Sequence, residues 1–243
     1  MKDEIKKYKK LVWNGKKNIS LKYCFREPEN INESKKYPLI LFLHGAGGRG
    51  SNNFEQLYDA GTLDAFKRQS IFLEHQTYLL APQVPENKQW VDVNWSSLEH
   101  KMPMISETME LTLELLNEVL SDKNNNIDIT RVYVMGLSMG GYGVWDILQR
   151  RPQLFAAAVP ICGGGDTSIC SLISHVPIWA WHGDSDDVID VERSRSMYSE
   201  LNKSGSDLIY SEIKGRGHDV WIDVWNSKKL WNWLFSKRLK TNE

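Results

Sequence analysis

Apolar positions along the chain gather into short runs, at 37–43, 77–81, 132–135, 155–161 and 176–181, each bounded by glycine, proline or polar residues, and 209–213 adds a last strand interrupted by Ser211 and Glu212. Strands covered on both faces show this pattern, because neither face needs a polar side chain. Two earlier runs, 10–13 and 19–25, flank Asn14-Gly15, a strong signal for a tight hairpin, and predict an antiparallel edge. Between the runs the period changes. Residues 53–67 have helical spacing, and 104–120 place Met109, Leu113, Leu116 and Leu120 on one face of a long helix that stops at the polar stretch 121–126. The alternation predicts an α/β fold with a mostly parallel central sheet, an antiparallel N-terminal hairpin and helices on both faces. Only residues 162–175 separate the runs 155–161 and 176–181, too few for a large cap domain.

Composition narrows the function classes. With 243 residues, 41% of them hydrophobic, the chain can bury a full core, and residues 1–243 are expected to form a single domain. A net charge of −1 does not fit a nucleic-acid binder, and no apolar run approaches a membrane span. Residues 1–10 are mostly charged and carry no apolar leader segment, so the sequence as it stands reads as cytoplasmic, with secretion the alternative if a leader has been removed. Cys24, Cys162 and Cys170 are odd in number and lack metal-ligand spacing; structural thiols are the default reading, and a Cys162–Cys170 bridge is the alternative.

The run at 132–135 leads into Gly136-Leu137-Ser138-Met139-Gly140-Gly141 and then into a helical segment. Gly-x-Ser-x-Gly between a strand and a helix is the context of a nucleophile elbow, which exposes a serine hydroxyl at a strained crest. Gly136 and Gly140 leave room for the strand and helix backbones to pass closely, and the Met139 amide at the head of the helix can donate to an oxyanion. The run 37–43 ends in His44-Gly45-Ala46-Gly47-Gly48-Arg49-Gly50, where the Ala46 amide is the candidate second donor. A phosphate-cradling loop is the rival reading of these glycines, but no Lys-Ser/Thr follows them. Residues 84–99 carry Trp90 and Trp95, which form either a substrate wall or a lid packed on the protein's own surface.

Candidates for the acid and the base follow in hydrolase order. Asp184, Asp186 and Asp187 crowd the segment after the run 176–181, and His218 lies in Gly215-Arg216-Gly217-His218 after the last run, close to Trp221. Taken together, the elbow, the segment 43–48 and His182-Gly183-x-x-Asp186-x-x-Ile189 resemble small carboxylesterases of the α/β-hydrolase superfamily. The nearest likeness is to the family-one carbohydrate esterases, of feruloyl- and acetyl-esterase type, and to phospholipase/carboxylesterase proteins. The resemblance implies an α/β-hydrolase fold and a triad of Ser138, His218 and Asp186. Asp184 and Asp187 stay open as the acid, because Ile189-Asp190 stands where members usually have Val-Pro. It further implies an oxyanion hole of Ala46 and Met139, acyl transfer through an acyl-enzyme, and no metal or organic cofactor. Candidate substrate contacts are His44, Gly45, Trp90 and Trp221, and the expected partner is a small-molecule or carbohydrate-linked ester with a short or aromatic acyl group. A peptidase of prolyl-oligopeptidase type would share the triad, but 243 residues do not accommodate its propeller domain. A non-catalytic module would be expected to have lost the serine, the histidine or the loop glycines, and all are present.

Overall fold

A computed structural model describes residues 4–16, 18–68 and 71–239; residues 1–3, part of the segment read for a leader, lie outside them. Eight strands form one sheet: β1 Lys9–Asn14, β2 Ser20–Arg26, β3 Tyr37–Leu43, β4 Tyr78–Gln83, β5 Ile127–Leu137, β6 Ala157–Ile161, β7 Ile178–Gly183 and β8 Leu208–Ile213. Their order is β1-β2-β4-β3-β5-β6-β7-β8. The β1–β2 and β2–β4 pairings are antiparallel and all others parallel, so the Asn14-Gly15 hairpin forms the expected edge.

Each central strand feeds both faces. In β3, Leu39, Leu41 and Leu43 enter one core and Ile40 and Phe42 the other. The first core is closed by α4 (Glu107–Ser121), α5 (Met139–Arg150) and α6 (Glu192–Lys203), through side chains such as Met109, Tyr142 and Met197. The second is closed by α2 (Thr62–Arg68), α3 (Ile71–Glu74), α7 (Trp221–Asn226) and α8 (Lys228–Ser236), with Phe66, Phe72, Val224 and Trp231. Helices therefore cover both faces.

Two expectations change in detail. The helical spacing at 53–67 is not one helix: α1 (Glu55–Tyr58) gives way to a 3-10 turn at Asp59–Gly61 before α2, and Ala60 sits at φ 54°. Between β6 and β7 the one helical segment is the 3-10 stretch Thr167–Ile173, in keeping with the absence of a cap in this connection. The three cysteines are free and buried, so the Cys162–Cys170 bridge does not form. No helix among the described residues is long and apolar enough to cross a membrane.

Candidate active site

The chain runs from β3 outward to β4 and then crosses back to β5 on the other side of β3, so the connections at the carboxyl ends of β3 and β5 diverge. Such a switch point leaves a crevice in open α/β sheets. Leu43 and Gly136 pair as β3 and β5 end together, which brings the loop 44–50 beside the elbow. Ser138 stands at the turn with φ 54° and ψ −119°, a conformation that costs a non-glycine residue about 1–3 kcal/mol. Its neighbours enforce it: the Ser138 amide donates to Ile161 O at 2.9 Å, and its carbonyl accepts from the Tyr142 amide at 3.2 Å. A Cβ at Gly136 would come within 2.6 Å of Leu43 O, and one at Gly140 would overlap the same carbonyl, so only glycine fits either position.

Ser138 Oγ lies 2.9 Å from His218 Nε2, and His218 Nδ1 lies 2.8 Å from Asp186 Oδ2. These come from three loops, after β5, β7 and β8. Because β8 is three strands from β5, the loop bearing His218 must fold back across the end of β7. Gly183 permits the crossing, since a Cβ there would overlap Arg216 O, and Ser185 N–H donates to Arg216 O at 3.0 Å. Arg216 in turn pairs with Asp223 of α7 at 2.6 Å, which ties the loop down.

Of the three crowded carboxylates, Asp186 is the one on the histidine. Its Oδ1 accepts from the Val188 and Ile189 amides, both at 2.9 Å. Its Oδ2 also meets His182 Nε2 at 3.3 Å, and His182 Nδ1 is supported by Ser194 Oγ at 2.7 Å. Burial opposes ionisation of Asp186, but hydrogen bonds from His182, His218 and the two amides outweigh it and hold the carboxyl far below its usual range. Asp184 instead accepts from the Gly215 amide at 2.7 Å, and Asp187 is exposed. A carboxylate kept ionised against an imidazole fixes the ring with its proton on Nδ1, leaving Nε2 to accept the serine proton.

Met139 heads α5, whose leading amides have no partner inside the helix, and Ala46 opens the 3-10 turn Ala46–Gly48. His44, Gly45 and Trp90 differ from their expected role as substrate contacts. All three are buried. His44 Nε2 accepts from the Val84 amide at 2.9 Å while its Nδ1–H donates to Gly45 O at 2.5 Å, so the ring staples the loop to the end of β4. Burial drives the His44 pKa down to about 4, which keeps the ring neutral in this role. Trp90 donates from Nε1 to His44 O at 2.9 Å, and its own carbonyl accepts from Ser106, the cap of α4. It is a strut behind the loop, which corrects the reading of Trp90 as a substrate wall. Gly45 is closed in by Leu137 and Asp59, whose side chains would stand 2.7 and 2.8 Å from a Cβ there. Burial pushes the Asp59 carboxyl up, and the Gly45, Ala60 and Gly48 amides offset part of that rise.

Trp221 packs edge-on against His218, with ring centroids 5.3 Å apart, and is partly exposed at the site. Cys162, Asp186 and His218 offer atoms within 4.8 Å of one another, a cluster that could in principle hold a metal. The donor chemistry argues for another use. Asp186 and His218 are already hydrogen-bonded to each other, and burial, reinforced by the Asp186 charge, raises the Cys162 thiol well above its usual range, so it stays protonated. Three positioning residues have no assigned role in the sequence reading: Asp59, His182 as a support of Asp186, and Gly183. His182 was the most accessible of them, because it precedes Asp186 by four residues within the segment that carried the resemblance.

Comparison with known proteins gives the family and the fold. The family described as Phospholipase/Carboxylesterase matches residues 30–227. A crystal structure of a thermostable esterase is similar with a TM-score of 0.88 at 32% identity, over 96% of this chain and 64% of that one. A ferulic acid esterase structure gives a TM-score of 0.66 at 18% identity, over 94% of this chain and 98% of that one. The acylaminoacyl peptidase of Pyrococcus horikoshii gives 0.71 at 17%, over 99% and 44%; at such identities the likeness is one of fold. A protein of Arthroderma benhamiae described as an uncharacterized secreted protein is 23% identical over 222 residues, which are 78% of this chain and 22% of that protein. The chain thus corresponds to only part of the thermostable esterase and of the Arthroderma protein.

Proposed function

The chain belongs to the Phospholipase/Carboxylesterase family of α/β hydrolases, and from that premise we propose that it is a serine carboxylic ester hydrolase working through Ser138, His218 and Asp186. The observation that carries the reading is the unbroken hydrogen-bonded line from Ser138 Oγ through His218 to Asp186 Oδ2, at 2.9 and 2.8 Å, with the serine held at a strained crest. His218 Nε2 takes the hydroxyl proton as Ser138 Oγ bonds to the ester carbonyl carbon. The carbonyl oxygen becomes an oxyanion, which the Ala46 and Met139 amides stabilise by about 3 kcal/mol each. Collapse breaks the bond to the alcohol oxygen, which leaves with the proton from His218, and an acyl-Ser138 ester remains. Water then attacks that ester, giving its proton to His218; the carboxylic acid departs and Ser138 regains its hydrogen. Asp186 orients the ring and stabilises the imidazolium of both steps.

The short connection between β6 and β7 supports preference for short or aromatic acyl groups. A buried methylene contributes about 0.8 kcal/mol only where a wall exists to bury it. With Trp90 withdrawn into the core, the aromatic surface next to the base is Trp221. The specificity constant along a C2 to C12 series of 4-nitrophenyl esters, with 4-nitrophenyl esters of aromatic acids and a peptidyl anilide beside it, tests the proposal. It is expected to fall beyond about C4 to C6, with slow turnover of the anilide. A rise continuing past C8 overturns the short-acyl reading in favour of lysophospholipase or thioesterase chemistry, and faster anilide turnover overturns the esterase reading.

A further inference from the structure

Arg193, in the first turn of α6, is 3% exposed, and its surroundings are unlike those of the other buried arginine. Arg26 is equally buried and is matched by the carboxylates of Glu4 and Glu29. Arg193 has no carboxylate within ion-pair distance among the described residues. One guanidinium nitrogen donates to His100 Nδ1, the Tyr142 ring lies 5.3 Å from Cζ, and Nε is buried without a hydrogen-bond partner. Gly164 makes room for the group, since a Cβ there would stand 2.6 Å from Nε. An arginine keeps its proton in a protein, so a buried one needs a compensating anion, and a neutral imidazole and an aromatic face supply none.

The same residue lines a cavity of about 470 Å³. Leu98 gives it an apolar side and Thr167 and Ser196 offer hydroxyls, while Glu99 and Glu192 stand at its rim. Glu192 is taken up by Arg195 at 2.5 Å, leaving Glu99 to disfavour a strongly charged ligand and tolerate a single negative charge. Arg193 links the cavity to the helix that carries the nucleophile. Tyr142, under the guanidinium, lies one helical turn after Ser138, and the backbone at Gly163 presses against Gly141 of the elbow helix, away from the loop 44–50. We propose that Arg193 is the anion-recognising residue of a substrate subsite beside Ser138, and that the esters this protein hydrolyses carry a carboxylate which pairs with it. The assignment rests on the esterase reading and narrows its substrate class.

Two matched ester pairs test it: mono-4-nitrophenyl adipate against 4-nitrophenyl butyrate, and 4-acetoxybenzoate against its methyl ester. These place the carboxylate on the acyl and on the alcohol side. In at least one pair, Arg193→Met is expected to lower the ratio of specificity constants, anionic over neutral, by tenfold or more, with Arg193→Lys recovering part. Glu99→Gln, at an exposed position, is expected to raise the same ratio severalfold. An unchanged ratio in both pairs, or a Glu99→Gln variant without effect where Arg193→Met does not fold, overturns the subsite. Adipate and 4-hydroxybenzoate are also expected to raise the melting temperature of wild type and not of Arg193→Met. If no ester is turned over yet that protection depends on Arg193, the esterase reading fails and the anion site stands; hydrolysis without dependence on Arg193 gives the reverse.

Discussion

His44 gives the protein a defined sensitivity to acid. The ring is enclosed, with Nε2 accepting from the Val84 amide and Nδ1–H donating to Gly45 O, and burial lowers its pKa from 6.5 to about 4. In the unfolded chain the ring binds a proton below about pH 6.5, while in the folded chain it does not until about pH 4. Between these values the unfolded state holds more protons, so stability rises with pH across the window, is fully present above about 6.5, and is lost progressively toward 4. The separation corresponds to about 3 kcal/mol, accumulating at no more than about 1.4 kcal/mol per pH unit. His100, pushed down to about 4 by burial and then by Arg193, acts in the same direction, discounted because it is partly exposed. Asp59, whose carboxyl burial raises, works the other way, because lowering the pH relieves the cost of its buried charge. His44→Gln keeps an acceptor for the Val84 amide and removes the titration. Urea unfolding followed by tryptophan fluorescence at pH 7, 6, 5 and 4.5 should therefore show the variant less stable at pH 7 and distinctly flatter in its pH dependence. Wild type and variant with parallel stability profiles from pH 7 to 4.5 would refute the placement of a neutral, buried His44 behind the loop.

Two further outcomes follow from the geometry. Asp186→Asn should lower turnover by about 10⁴-fold, because the amide favours the wrong ring tautomer, while Asp184→Asn and Asp187→Asn cost less than about tenfold; steady-state kinetics on 4-nitrophenyl acetate ranks the three. Trp90→Phe removes the indole donor to His44 O and leaves that buried carbonyl unpaired, so stability should fall by about 1–3 kcal/mol and kcat should fall with it. Its KM for aromatic esters should move no more than that for acetyl esters; a selective rise for aromatic esters would put Trp90 back against the substrate.

What was legible in the sequence is what sterics leave little choice about. Unbroken apolar runs such as 37–43 had to be strands covered on both sides, and Gly136 and Gly140 bracket Ser138 because any Cβ there meets the Leu43 carbonyl. The order of Ser138, Asp186 and His218 survived for the same reason, since each sits at the end of a strand whose place the runs fix. The orientation of loop side chains was less accessible. His44 and Trp90 carry polar atoms and follow strands, which fits a cleft contact as well as a buried strut; only the partners contributed by Val84 and Ser106, far along the chain, decide between them. The break escaped the helical spacing because it is a backbone event, Ala60 turning left-handed at φ 54°, which the apolar period does not register. Arg193 was hidden in Glu192-Arg193-Ser194-Arg195, which reads as the solvated face of a helix until the tertiary packing closes over it.

The central claim is that Ser138 is the nucleophile, and its most direct test is covalent labelling by a fluorophosphonate followed by intact-mass and peptide analysis. The account predicts a single phosphonylation at Ser138 that proceeds with loss of ester hydrolysis, and a Ser138→Ala variant that folds with the wild-type melting profile, takes no label and loses activity by several orders of magnitude. A label on another residue, or a Ser138→Ala variant retaining activity within about tenfold of wild type, would contradict it.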